Sequence, residues 1–194
     1  MVGDECFVSR SEVVRPVDLP PGPIVGFVGA VSEYKFDFTL YRQLVELLPG
    51  VNFVIIGKLG EGQIGQELPD FFDLPNVHFL GPKPYSEVPH YMTHFDVAVL
   101  PCPLNEYTRA MFPMKFFEYL AAGAAVVSTR LESIQAFSDV AFFADSAAQF
   151  GEQIRKILDS GNPRAAAGVD IAREHTYQSR TAAMIRHFEN VDQP

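Results

Sequence analysis

From Pro23 onward, short apolar runs alternate with longer segments of helical spacing, and this alternation limits what the chain can fold into. The runs are Ile24-Val-Gly-Phe-Val-Gly29, Asn52-Phe-Val-Ile-Ile-Gly57, Val77-His-Phe-Leu-Gly81, Asp96-Val-Ala-Val-Leu-Pro101, Ala124-Ala-Val-Val-Ser-Thr129 and Val140-Ala-Phe-Phe-Ala144. They carry little polar alternation, as strands covered on both faces require. Six such strands separated by helices predict an α/β domain: a Rossmann-like three-layer α/β/α arrangement around a mostly parallel sheet.

The intervening segments support helices. Phe38 to Leu48 places Leu40, Leu44, Leu47 and Leu48 at helical spacing, and Ser86 to Phe95 opens on a residue suited to an N-cap. Phe112 onward reads as a helix feeding a strand. Ser146 to Leu158, a shorter segment from Arg164 to Arg173, and Ser179 to Phe188 close the chain. Residues 1–22 hold Pro16, Pro20 and Pro21 with no clear period and read as a linker or N-terminal arm packed on the surface. Residues 23–194 read as one domain, in keeping with a chain of 194 residues that is 47% hydrophobic.

Composition narrows the functional classes. A net charge of −9 disfavours nonspecific attraction to nucleic acid or an anionic membrane, so any anionic ligand needs a local cluster of cations. No run of eighteen apolar residues and no basic, apolar leader occurs, and Cys6 and Cys102 fit no metal or CxxC spacing. The expectation is a cytoplasmic chain with free thiols. His90 and His94 are four apart on one predicted helix, but with no third ligand in view they read as surface or packing residues. No metal is expected.

Ligands of parallel α/β sheets bind beyond the carboxyl ends of the strands, where loops and helix N-termini converge. Lys35, Lys58, Lys83, Arg109, Lys115 and Arg130 all follow predicted strands, so six of the fifteen Lys and Arg residues share one rim of an acidic protein. That concentration points to phosphate binding. Gly26-Phe-Val-Gly29-Ala30 is not GxGxxG and no GxxxxGK[ST] occurs, which disfavours a dinucleotide-dependent oxidoreductase or an ATPase. Gly57-Lys-Leu-Gly60-Glu-Gly62 could approach a ligand closely or serve as an ordinary turn.

Pro113-Met-Lys115-Phe-Phe-Glu118-Tyr-Leu-Ala-Ala-Gly123-Ala-Ala-Val-Val-Ser-Thr129 resembles the P-x-K-x-x-E-Y-L-A-A-G-x-P-V-V signature of nucleotide-sugar glycosyltransferases of the two-lobed GT-B fold, the large retaining group 1 or family 4 type. Val28-Gly-Ala-Val-Ser-Glu-Tyr-Lys35 is similar to that family's first loop, V-G-R-L-S-x-x-K. The runs Asn52 to Gly57 and Asn76 to Gly81 are similar to its second and third strands, and Tyr177-Gln-Ser-Arg180 to the opening of its last helix. The likeness spans roughly residues 23–190.

This resemblance implies the donor-binding C-terminal lobe of a retaining hexosyltransferase acting in polysaccharide or other glycan biosynthesis. A UDP- or GDP-linked sugar would be the substrate, and no cofactor is implied. The acceptor, a glycan or lipid-linked glycan, would bind through a separate N-terminal lobe, which could also bring the protein to the inner face of the membrane. This chain alone would then be inactive. Carried over by position, the resemblance implies Gly29, Lys35 and Lys115 at the donor diphosphate, Glu118 at the ribose hydroxyls, and Gly81, Pro82 and Lys83 at the base. Tyr85 is either a stacking partner or packing.

Two departures stand out. The arginine of V-G-R-L is Ala30, a contact that Arg109 could replace, and the first glutamate of the family's pair is Ala110, for which Glu106 could stand in at the sugar. No catalytic residue is assigned. A nucleotide-sugar epimerase of the same fold and a noncatalytic α/β interaction module are the alternative readings. A competing role for Lys115 and Glu118 is a plain i, i+3 ion pair.

Overall fold

The computed structural model describes residues 2–60 and 69–179, together with 181, 182 and 185. Six strands form one sheet in the order β3-β2-β1-β4-β5-β6, every neighbouring pair parallel. They are β1 (Ile24–Val28), β2 (Asn52–Ile56), β3 (Val77–Phe79), β4 (Val97–Leu100), β5 (Ala125–Ser128) and β6 (Phe142–Phe143). All six predicted strands are present, and the α/β class is as expected. The helices are α1 (Phe38–Leu47), α2 (Val88–Met92), α3 (Glu106–Ala110), α4 (Met114–Ala121), α5 (Ala147–Ser160) and α6 (Ala165–Glu174).

Pleating sends alternate strand residues to opposite faces, and both faces are covered. Ile24, Val28, Val54, Ile56, Ala98 and Val126 pack with α2, α4 and α6 through Tyr91, Phe116, Phe117, Leu120 and Ala172. Val25, Phe27, Phe53, Ile55, Val97, Val99 and Val127 pack with α1 and α5 through Tyr41, Leu44, Phe150 and Ile154. Each fully buried side chain of this kind contributes about 1.5–3 kcal/mol, which outweighs the few tenths that local propensity supplies. The outer strand β3 is only half-buried, so His78 lies at an edge rather than in the interior, hydrogen-bonded to Asn52 Oδ1 at 2.9 Å.

Several boundaries differ from the sequence reading. Ser86 does not cap α2. The helix starts at Val88 after Glu87, which puts Pro89 in the first turn where its missing N–H costs nothing, and it lasts five residues. Pro113 stands at the N-cap of α4, one position before the first turn. The segment from Cys102 to Phe112, for which the sequence predicts no helix, contains α3. Asn105 caps it, accepting from the Thr108 amide at 2.9 Å while Thr108 Oγ1 accepts from the Asn105 amide at 3.0 Å. The helix predicted from Ser179 to Phe188 falls mostly outside the described residues, as do Arg180, Glu61 and Gly62.

The arm before β1 is tied down at several points. Val2 and Cys6 are fully buried against the α4 face, and Val2 bridges to Thr176. These two residues are thus interior, not superficial. Arg10 pairs with Asp96 at 2.9 Å, and the other Asp96 oxygen accepts the Ile24 amide at 2.8 Å. Asp18 accepts from Lys83 at 2.6 Å and from the Tyr91 hydroxyl at 2.9 Å. No described helix is long and apolar enough to cross a membrane.

Candidate functional site

The strand order reverses direction between β1 and β4. While β1 pairs with β2 over all five residues, it pairs with β4 only at Val25 and Gly26. Beyond that point the Tyr119 hydroxyl takes up the Val28 amide at 2.7 Å. Tyr119, from α4, thus supplies the partner that a neighbouring strand would have given, and holds open the crevice where parallel sheets of this order receive ligands.

The floor of the carboxyl edge is glycine. Gly57 has φ +148°, and a Cβ there would stand 2.0 Å from the Gly29 carbonyl oxygen. Its amide donates to the Gly81 carbonyl at 3.0 Å, and Gly81 itself has φ +67°. These two conformations draw the ends of β1, β2 and β3 together as no side-chain-bearing residue would permit. The result is a cleft of about 480 Å³ whose lining includes Gly29, Ala30, Gly57, Lys58, Pro82 and Lys83.

Lys115 and Glu118 stand on the first turns of α4, and neither lines this cleft. Glu118 is 3% exposed and its partner is the Lys115 ammonium, which also stands 5.3 Å from the Tyr85 ring centre. Burying a carboxylate is costly without such a partner. Glu118 also faces Cys6: burial first, then the Glu118 and Glu5 carboxylates, push that thiol up to about 12. The N-terminus of α4 has no side-chain cap, whereas Asp37, Asn105 and Ser146 cap α1, α3 and α5. Its leading amides are open to an anion.

The remaining candidates separate. Lys35 lies on the first loop, fixed where Asn105 donates to the Tyr34 carbonyl at 2.8 Å and Tyr34 meets Tyr107 edge-on at 4.7 Å. It sits close enough to Cys102 to pull that thiol down, although burial dominates and pushes it up to about 12. Arg109 lines a different cleft of about 380 Å³, with Arg130, Glu132 and Gln135. Glu106 lines neither cleft. At opposite ends of α3, Glu106 and Arg109 both complement its dipole, a sufficient structural reason for their charges.

The free cysteines are both buried. His94 packs at 4% exposure with Nδ1 on the His90 carbonyl at 2.8 Å. Among the described residues, no three His, Cys, Asp or Glu side chains are grouped to hold a metal ion. Tyr119 is the position whose role in shaping the crevice the sequence did not reveal. The capping box at Asn105 and Thr108 was a readable signal for α3.

Comparison with known proteins agrees with this arrangement. The family model described as Glycosyl transferases group 1 matches residues 22–160. TuaH of Bacillus subtilis (strain 168), named for teichuronic acid biosynthesis as a glycosyltransferase, is 39% identical over 114 residues, 58% of this chain and 28% of TuaH. Sucrose-phosphate synthase from Thermosynechococcus elongatus superposes with a TM-score of 0.70 at 16% identity, covering 96% of this chain and 51% of that one. HepE of Anabaena, crystallised with UDP and glucose, gives 0.66 at 16% identity, covering 88% and 48%. The match thus takes in under a third of TuaH and about half of each solved structure. At these identities the structures show the fold, that of a GT-B glycosyltransferase domain.

Proposed function

The chain belongs to the group 1 glycosyl transferases, and we propose that it is the donor-binding lobe of one, holding a nucleoside-diphosphate sugar at the carboxyl edge of its sheet. The observation that carries this reading is Glu118: a buried carboxylate partnered by Lys115 at the uncapped start of α4. A carboxylate can accept from two vicinal ribose hydroxyls at once, while the open amides and Lys115 face the diphosphate. Gly81, Pro82 and Lys83 border the base, and Gly29 lets the backbone approach the phosphates. Lys35 also belongs to the diphosphate site.

In this reading the enzyme transfers the sugar to a hydroxyl acceptor, with retention, in the building of a glycan. HepE with UDP and glucose, and TuaH named for teichuronic acid biosynthesis, support that direction. The acceptor and the catalytic groups outside this lobe come from a second lobe, so this chain binds donor and does not turn it over. Its own contribution to catalysis is electrostatic: preorganised amides and cations stabilise charge on the departing diphosphate.

Calorimetry with UDP and GDP tests the proposal. One of them should bind, and Glu118→Ala should weaken that binding by about 1–3 kcal/mol with the fold intact. Absence of binding by both at millimolar concentration, in folded protein, overturns it. With the acceptor lobe present, formation of a glycosidic product rather than an epimerised nucleotide sugar separates transfer from epimerisation.

A further inference from the structure

We infer that Lys58 is a further diphosphate-binding cation, beside Lys35 and Lys115, standing where Ala30 leaves no charge; the inference rests on the donor-lobe reading above. The first and second loops are stitched together at this point. The Val31 amide donates to the Lys58 carbonyl and the Gly60 amide donates to the Val31 carbonyl, each at 2.9 Å, forming a bridge between Val31 and Leu59. That bridge fixes Lys58 alongside Ala30, and both line the 480 Å³ cleft together with Gly29.

Charge decides among the cations of the rim. Lys83 shares the cleft but is held by Asp18 at 2.6 Å, and Lys115 is held by Glu118. Each arrives with its own counter-charge. Lys58 is exposed, and no carboxylate among the described residues pairs with it. A diphosphate needs surplus positive charge in a protein of net charge −9, and Lys58 supplies it.

Arg109, the alternative for this role, is poorly placed for it. It lines the second cleft, where Arg130 is bound by Asp145 at 2.9 Å and Glu132 also lines the wall. Counted with Asp145 and Glu132, the two guanidinium groups leave that region with no net charge, whereas Lys58 and Lys83 counted with Asp18 leave the first cleft one positive charge. The two clefts have no lining residue in common.

The test measures binding of UDP, GDP and inorganic pyrophosphate by calorimetry to the wild-type chain and to Lys58→Ala, Lys58→Arg, Arg109→Ala and Ala30→Arg/Lys58→Ala. Expected are a loss of about tenfold or more for Lys58→Ala with UDP or GDP and with pyrophosphate, the size of a lost charge-assisted hydrogen bond. Lys58→Arg and Arg109→Ala should stay within about twofold of wild type, and Ala30→Arg should restore most of the loss in Lys58→Ala. Uridine or guanosine alone should bind both Lys58 variants as it binds wild type, because the base contacts are elsewhere. Wild-type binding of a nucleotide that Lys58→Ala leaves unchanged overturns this inference alone. A wild type that binds none of the three ligands overturns the donor-lobe reading itself.

Discussion

An alanine at position 57 would place its Cβ 2.0 Å from the Gly29 carbonyl oxygen, on a backbone whose φ of +148° already excludes side chains. Neither atom can yield without parting β1 from β2. Gly57→Ala should therefore cost about 2–4 kcal/mol, read as a lowered urea midpoint, and should weaken nucleotide binding as the cleft floor shifts. At this scale the spacing made one contact legible: Lys115 and Glu118 meet as the i, i+3 ion pair that was the competing role for them. It was not legible for Arg109, because spacing along the chain places a residue on the rim without saying which of two clefts it lines. It marked Gly57 as a close approach or an ordinary turn without the reason, which is a carbonyl 28 positions earlier in the sequence.

At the scale of elements, long periodic segments were readable and short ones were not. The helices α1 and α5 start within a residue of their predicted positions, since each carries an N-cap residue and a full apolar stripe. Five-residue α3 has too few turns for a period, and only its capping box marks it. Asn105 there does two jobs: it caps α3 and donates to the Tyr34 carbonyl on the first loop. Asn105→Ala should lower stability by about 1–2 kcal/mol in thermal unfolding. Asn105→Asp, which keeps the cap acceptor but not the donor, should recover part of that. The strands were legible because burial on both faces leaves continuous apolar runs, and β3 departs from the pattern because an edge strand needs less cover.

For the whole molecule, the arm before β1 reaches both ends of the strands, through Asp96 just before β4 and through Lys83 beyond β3. Composition had marked it as irregular, and irregularity alone does not reveal packing: Cys6 and Val2 are single apolar residues without a period. Asp18 provides a measurable handle on this docking. Burial raises its carboxyl, but hydrogen bonds from Lys83 and Tyr91 outweigh that and hold it below its ordinary value. A carboxyl depressed in the folded state stabilises above its unfolded pKa, and that contribution disappears as pH falls through the folded value. The stability gap between wild type and Asp18→Asn in urea titrations should therefore be constant near neutrality and close below about pH 4. Added salt should narrow it at neutral pH, because the pair is partly exposed.

The bridge between Val2 and Thr176 has a kinetic meaning as well. The Val2 amide donates to the His175 carbonyl at 3.2 Å and the Tyr177 amide to the Val2 carbonyl at 3.3 Å. These contacts close the longest loop among the described residues, and the entropy of closing it is offset only once the sheet between them has formed. They should be the last hydrogen bonds made in folding and among the first released in local opening. The amides of Val2 and Tyr177 would then exchange with solvent faster than those of β1 and β4, so that the two ends of the domain come undone while its centre is still folded.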